Sequence, residues 1–127
     1  MATRDPVNRR MVQMEARRFA TRCDTTIATV ERTDSLRELS RLIGSLNLPY
    51  SVMDDFTARD ALQRVKLKVE DRARELIQEQ LQHFVRAEDT QREKMLRTIL
   101  DSWGNLTGPL SHLRTWAQSR LTVAKQS

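Results

Sequence analysis

The positions of glycine and proline constrain the fold of this chain more than any other feature of its sequence. All six of these residues occur in four places: Pro6, Gly44–Pro49, Gly104 and Gly108–Pro109. The spans 7–43 and 50–103 contain 37 and 54 residues without either type. Inside a helix, glycine costs about 1 kcal/mol and proline about 3 kcal/mol relative to alanine. Because long helices benefit most from excluding both, the sequence predicts an all-α protein.

Capping residues indicate where the helices begin and end. Asp5 before Pro6 predicts the first N-terminus, and Ser35 with Glu38 forms a capping box that predicts the second. Gly104 is expected to end a helix in the left-handed conformation. We predict a single domain over residues 1–127, with a frayed tail at 124–127 and helices at about 6–32, 35–46, 52–86, 90–103 and 109–123.

The longest span leaves two points open. Ser51–Asp54 and Thr57–Asp60 both resemble capping boxes, and they compete for the start of the third helix. Thr90–Glu93 is a further capping box inside the span. Residues 52–103 therefore form either one continuous helix, whose exposed arm needs a partner, or two helices with a break near residues 88–90.

Apolar spacing predicts how the helices pack. Helices one and three carry apolar residues at intervals of three and four, the narrow seam that is typical of coiled coils. Because a short elbow joins them, we expect these helices to lie antiparallel with their seams facing. The predicted fold is a four- or five-helix antiparallel bundle, or a coiled-coil-like helical hairpin, with one long central helix. The residues expected to form the packing or oligomer seam are Phe19, Cys23, Ile27, Leu62, Val65, Val69, Leu76 and Leu81.

Composition limits the class of protein. Apolar residues make up 39% of the chain and charged residues 31%, which suits a soluble helical protein. No apolar run approaches the roughly 20 residues of a membrane-spanning helix, so we expect no membrane span. The single cysteine, Cys23, excludes an internal disulfide and favours a reducing intracellular compartment. We expect the cytoplasm, although the arginine-rich N-terminus leaves organelle targeting open.

The sequence offers little support for catalysis. His83 and His112 are the only histidines, and neither has a second ligand at a metal-binding spacing. Cys23 lies on the seam of helix one, where we expect a buried and unreactive thiol. Three glycines are too few for a glycine-rich phosphate loop. We therefore predict no enzyme, no catalytic residue, no metal site and no cofactor.

Positive charge is the main functional lead. The net charge is +5, and arginine supplies 18 of the 22 basic residues. Five arginines of the later helices follow an acidic residue by four positions, which favours pairing within a helix. Helix one differs, because residues 9–22 contain five arginines and a single acidic residue, Glu15. With a second basic row on helix three, the candidate partner-binding residues are Arg9, Arg10, Arg17, Arg18, Arg22, Arg64, Lys68 and Arg72.

Two functions fit these observations. The first is a non-enzymatic adaptor, scaffold or complex subunit, which binds a protein partner or itself as a homo-oligomer through coiled-coil-like packing and an arginine-rich helix. The alternative is a sequence-independent nucleic-acid binder, most plausibly a helical dimer on duplex RNA, with the two basic rows joined along the phosphate backbone. A membrane-surface helix is less favoured, because the apolar stripe of helix one is narrow and contains no tryptophan.

Overall fold

The computed structural model describes residues 6–126, with side chains from residue 8 onward, and that part of the chain contains no β-strand. It has five helices: α1 (Pro6–Glu31), α2 (Leu36–Gly44), α3 (Phe56–Arg86), α4 (Asp89–Trp103) and α5 (Leu113–Lys125). Short 3₁₀ turns at Tyr50–Val52 and Gly108–Leu110 precede α3 and α5. At 1.5 Å per residue α3 is about 46 Å long, and it packs against all four other helices. The prediction of an all-α fold is confirmed over the described residues.

Capping explains where α2 and α3 begin. Ser35 accepts a hydrogen bond from the backbone N–H of Glu38 at 3.3 Å, as predicted. Neither predicted capping box starts α3; instead the carboxylate of Asp55 accepts from the N–H of Ala58 at 3.0 Å. The start is later than predicted because residues 50–52 form a 3₁₀ turn. The predicted N-cap Asp5 lies outside the described residues.

The long span without glycine or proline is broken at Ala87 and Glu88. Both residues are extended, with ψ of 150°. Arg92 of α4 donates from Nη2 to the carbonyl of Val85 at 2.9 Å and from Nε to that of Ala87 at 3.2 Å. The last carbonyls of a helix have no partner within the helix, so Arg92 stabilises the end of α3. Glu88 occupies the N-cap position of α4, two residues before the predicted capping box.

The last connection differs from its prediction. Gly104 has φ of −59°, in the right-handed region, so the predicted left-handed cap is wrong. Gly108 has φ of 55° and is the one residue with positive φ in the described part of the chain. The 3₁₀ turn that begins at Gly108 delays the start of α5 to Leu113. The helix then continues to Lys125, into the predicted tail.

Helices α1 and α3 lie side by side and run in the same direction. Three contacts show this direction: Glu15 with Ser51, Glu31 with Lys68, and Asp34 with Arg72. As the residue number increases along α1 and the residues after it, the number of the contacted residue also increases, from the turn before α3 into α3 itself. In an antiparallel pair one number would fall as the other rises, so the predicted antiparallel arrangement of these two helices is wrong. The predicted short connection between α1 and α3 is also wrong, because α2 lies between them and returns the chain to the level at which α1 began.

Helices α4 and α5 flank the C-terminal half of α3. The start of α4 contacts the end of α3 through Arg92. The end of α4 contacts α3 about two helical turns earlier, where Trp103 Nε1 donates to Gln80 Oε1 at 2.9 Å. Helix α4 therefore runs antiparallel to α3. Helix α5 runs parallel to α3, because His112 contacts Glu70 and, four residues later, Trp116 contacts Arg74. Successive helices of the chain thus alternate in direction.

One buried cluster joins all five helices. On α1 it contains Phe19 and Cys23, which expose 2% and 0% of their surface. The first half of α3 contributes small side chains at intervals of three and four: Ala58, Ala61, Val65, Val69 and Ala73. Of the eight predicted packing residues six are buried, and Ile27 and Leu62 are partly buried. Burial, followed by the nearby charge of Asp24, raises the pKa of Cys23 above its ordinary value of 9.0.

An ionic and aromatic contact connects α3 to α5. Arg74 Nη2 and His112 Nε2 lie 2.9 and 3.3 Å from the same oxygen, Oε1 of Glu70. The guanidinium of Arg74 also stacks over the ring of Trp116, at 4.7 Å from its centroid. The hydrogen bond from Arg74 first, and that from His112 second, hold the pKa of Glu70 below its ordinary value of 4.5.

Replacing Phe19 with alanine should lower the free energy of unfolding by about 3–5 kcal/mol, because it leaves a cavity between α1 and α3. Met14, which is 53% exposed on the same helix, provides the control. Met14→Ala should change stability by less than about 0.5 kcal/mol. Urea unfolding followed by circular dichroism measures both, and equal effects would contradict the assigned core.

The Glu70 contact predicts a dependence of stability on pH. Because the folded-state pKa of Glu70 lies below its unfolded value, its stabilising contribution is present above pH 4.5 and is lost as pH falls through the folded pKa. The variant Glu70→Gln should be less stable at neutral pH, and its stability should fall less on acidification. Unfolding curves from neutral pH to well below 4.5 test this, and parallel pH profiles for the two proteins would refute it.

Candidate interaction surfaces

The first candidate surface is the arginine face of α1, formed by Arg9, Arg10, Arg17, Arg18 and Arg22. All five side chains are exposed. None of them forms an ion pair or side-chain hydrogen bond with another residue of the described chain. Glu15, the one acid between Arg9 and Arg22, accepts a hydrogen bond from Ser51. Within residues 6–126, this face therefore presents positive charge that no acidic side chain pairs with.

The helical period distributes this charge over two edges of α1. Arg10 and Arg17 are seven residues apart and share one edge, while Arg18 and Arg22 are four apart and share another. Between these edges lies the solvent-facing side of the helix, which includes the half-exposed Met14. The arrangement is a broad basic surface around α1 and not a single narrow row.

The predicted second basic row, on α3, serves intramolecular contacts. Arg64 Nε lies 3.3 Å from Asp60, and Lys68 Nζ lies 3.5 Å from Glu31 of α1. Arg72 is only 18% exposed and is held by three acceptors. Each residue of this row therefore has an acidic neighbour. These contacts do not support the prediction that the row binds a nucleic acid.

Arg72 joins the end of α1 to α3. Its Nε donates to the carbonyl of Thr33 at 2.9 Å, and its two terminal nitrogens donate to Asp34 at 2.7 Å and to Glu75 at 2.9 Å. Asp34 and Glu75 are 87% and 61% exposed, so each ion pair contributes about 0–1 kcal/mol. The carbonyl of Thr33 belongs to a buried residue, so that hydrogen bond carries more of the stabilisation.

A second candidate surface, which the sequence analysis missed, lies at the N-terminal end of α3. Tyr50 and Phe56 are 89% and 81% exposed, and with Met53 and Val12 they line a cavity of about 510 Å³. An adjoining cavity of about 260 Å³ is lined by Met11 and shares Val12 and Ser51. We call this surface the aromatic groove, formed by Met11, Val12, Tyr50, Ser51, Met53 and Phe56.

A sequence signal for the aromatic groove does exist. Phe56 lies near the opposite side of α3 from Ala58 and Val65, and so outside the stripe that forms the core. Tyr50 immediately follows Pro49, in a segment without helical apolar spacing. An aromatic residue outside the periodic apolar positions is not expected to pack in the core. The positions of Tyr50 and Phe56 could therefore have predicted that both are exposed.

The concave surface between α2, α3 and α4 has a volume of about 500 Å³ and contains Glu79, His83 and Asp101. Within residues 6–126, no three histidine, cysteine or acidic side chains are close enough together to hold a metal ion. The other histidine, His112, contacts Glu70.

Comparison with protein families, with characterised proteins and with solved structures finds no match for this chain. Within the described residues, none of the helices has the length and apolar character needed to cross a bilayer.

The Arg72 contacts predict unequal effects of two substitutions. Arg72→Ala should lower the free energy of unfolding by about 1–3 kcal/mol, because the carbonyl of Thr33 loses its donor. Asp34→Ala should lower it by less than about 1 kcal/mol, because that pair is exposed to solvent. Chemical denaturation measures both values. An Asp34→Ala loss as large as that of Arg72→Ala would show that the ion pair dominates.

Proposed function

We propose that this protein is a non-enzymatic helical interaction protein, an adaptor or complex subunit, which binds an acidic protein partner through the arginine face of α1. The observation that carries the proposal is the contrast in pairing between helices. On α3 and α4, Arg64, Arg74 and Arg97 pair with acids four residues earlier. Among the described residues, the five arginines of α1 have no such partner, which supports a role for their charge in binding another molecule.

The rigid attachment of α1 supports this function. The helix packs more extensively against α3 than any other two elements pack together. Phe19 and Cys23 are buried on the side that faces the core, which holds the arginines on the outside. A partner that binds this bundle would therefore meet pre-organised positive charge, and guanidinium groups form bidentate hydrogen bonds with carboxylates. The proposal assigns the protein to a reducing intracellular compartment, because its single cysteine cannot form a disulfide within the chain.

Duplex RNA is the alternative partner for the same surface. Exposed arginines without partners favour it, since phosphates bind guanidinium groups as carboxylates do. The ion pairs of Lys68 and Arg72 disfavour it, because they remove the second basic row that was expected to extend the contact along a backbone. A protein partner needs only the face of α1.

The test is the double charge reversal Arg17→Glu and Arg18→Glu. We expect it to leave the helical circular dichroism and the unfolding midpoint unchanged, because both side chains are exposed and unpaired. Binding of a fluorescent poly-glutamate peptide should weaken at least about tenfold, since each charge-assisted contact contributes about 1.5–3 kcal/mol. The matched control is Arg37→Glu with Arg86→Glu, which makes the same change in net charge at exposed residues of α2 and α3.

Labelled duplex RNA in the same anisotropy assay distinguishes the two partners. Stronger binding of duplex RNA than of poly-glutamate, with a steep loss of affinity as salt rises, would favour the alternative. Equal weakening by the double reversal and by its control would contradict a specific role for α1, because net charge alone would then explain binding.

A further inference from the structure

We propose that the aromatic groove binds a basic segment of a protein partner, in which an arginine or lysine stands next to an apolar side chain. The cation binds at the acidic side of the groove, which residues 50–56 form, and the apolar side chain packs against the wall that α1 provides. The groove and its partner differ from the arginine face and its acidic partner, so this inference goes beyond the proposed function and does not depend on it.

Every charged side chain that lines the two cavities of the groove is acidic. Asp54 and Asp55 line the larger cavity, and Glu15 lines the adjoining one. None of the three forms an ion pair with another described residue, whereas acids such as Asp60 and Glu93 do. In a chain with a net charge of +5, the groove is therefore a local region of negative charge, which complements a basic partner.

A contact inside this protein shows how a ring and a carboxylate together hold a cation. The guanidinium of Arg74 lies 4.7 Å from the centroid of the Trp116 ring, and its Nη2 lies 2.9 Å from Glu70. The groove offers the same two groups, because Tyr50 and Phe56 are 89% and 81% exposed beside free carboxylates. Within the described part of the chain, no arginine lies over either ring. Since aromatic faces attract cations, the basic residue of a partner supplies the missing group.

The α1 side of the groove favours an apolar neighbour for that cation. Val12 lines both cavities, and Met11 lines the smaller one. Arg18 follows Glu15 by about one helical turn and lies outside both cavities, so its charge disfavours a cation near Glu15. The cation therefore belongs in the larger cavity, of about 510 Å³, beside Asp54. A phosphate backbone would meet like charge there, so this groove does not suit a nucleic acid.

Fluorescence anisotropy on the full chain, with three labelled peptides, tests the proposal. One peptide alternates arginine with leucine, one alternates arginine with serine, and one alternates serine with leucine. The wild-type protein should bind the arginine–leucine peptide roughly tenfold more tightly than either of the others, because only this peptide supplies both the cation and the apolar side chain.

A double substitution tests the acidic side of the groove. Asp54→Asn with Asp55→Asn removes both charges, and asparagine preserves the N-cap of α3. It should weaken the arginine–leucine peptide roughly tenfold, because two solvent-exposed ion pairs are lost. The matched control is Asp24→Asn with Asp71→Asn, which makes the same change in net charge at exposed acids that line neither cavity. The control should bind like the wild type.

A single substitution tests the aromatic rings. Phe56→Ser should weaken the arginine–leucine peptide roughly fivefold, since the ring that attracts the cation is removed. Met14→Ser should have no effect, because Met14 is 53% exposed on α1 and lines neither cavity. Both variants should keep the wild-type circular dichroism, because both side chains are exposed.

Three results would overturn the proposal: equal binding of the three peptides, equal weakening by the two double substitutions, or full binding by Phe56→Ser. Sedimentation velocity adds a fourth, because a wild-type dimer that Phe56→Ser dissociates would assign the groove to a second copy of the chain. The proposed function is judged separately. A protein that binds poly-glutamate but not the arginine–leucine peptide would refute only this inference, and the reverse result would refute only the acidic partner.

Discussion

The packing of α1 against α3 is the contact on which the rest of the structure depends. Phe19 and Cys23 on α1 are enclosed, and the adjoining half of α3 presents alanine and valine at intervals of three and four. Small side chains allow two helices to approach closely. This contact fixes which side of α1 faces the solvent, and therefore holds its arginines outward. Helix α3 extends beyond the end of α1, and α4 and α5 pack against this extension.

Polar contacts determine how the remaining helices join this pair. Arg92 binds the carbonyls at the end of α3 and allows the chain to reverse into α4. Arg72 connects the residues after α1 to the middle of α3, so the parallel direction of the two helices is held at that end. Glu70 receives both Arg74 and His112, which attaches α5. Arg72, which the sequence predicted as part of a binding surface, is therefore used inside the molecule.

The two surfaces that remain available differ in physical character. The arginine face of α1 offers charge that attracts acidic molecules over a distance, and salt screens that attraction. The aromatic groove offers apolar area and a recess of defined shape, which act only on contact.

The sequence by itself determined the helical class, the core residues of α1 and the capping of α2, because these depend on breaker residues, apolar periodicity and local hydrogen bonds. It also contained the signal for a break near residue 88. Tertiary structure alone decided that α1 and α3 are parallel, because that direction depends on the path of α2 between them. It likewise decided that Lys68 and Arg72 are paired and that Tyr50 and Phe56 are exposed. Ion pairs between distant residues and the exposure of an aromatic ring depend on which elements meet in space, and residue spacing does not specify this.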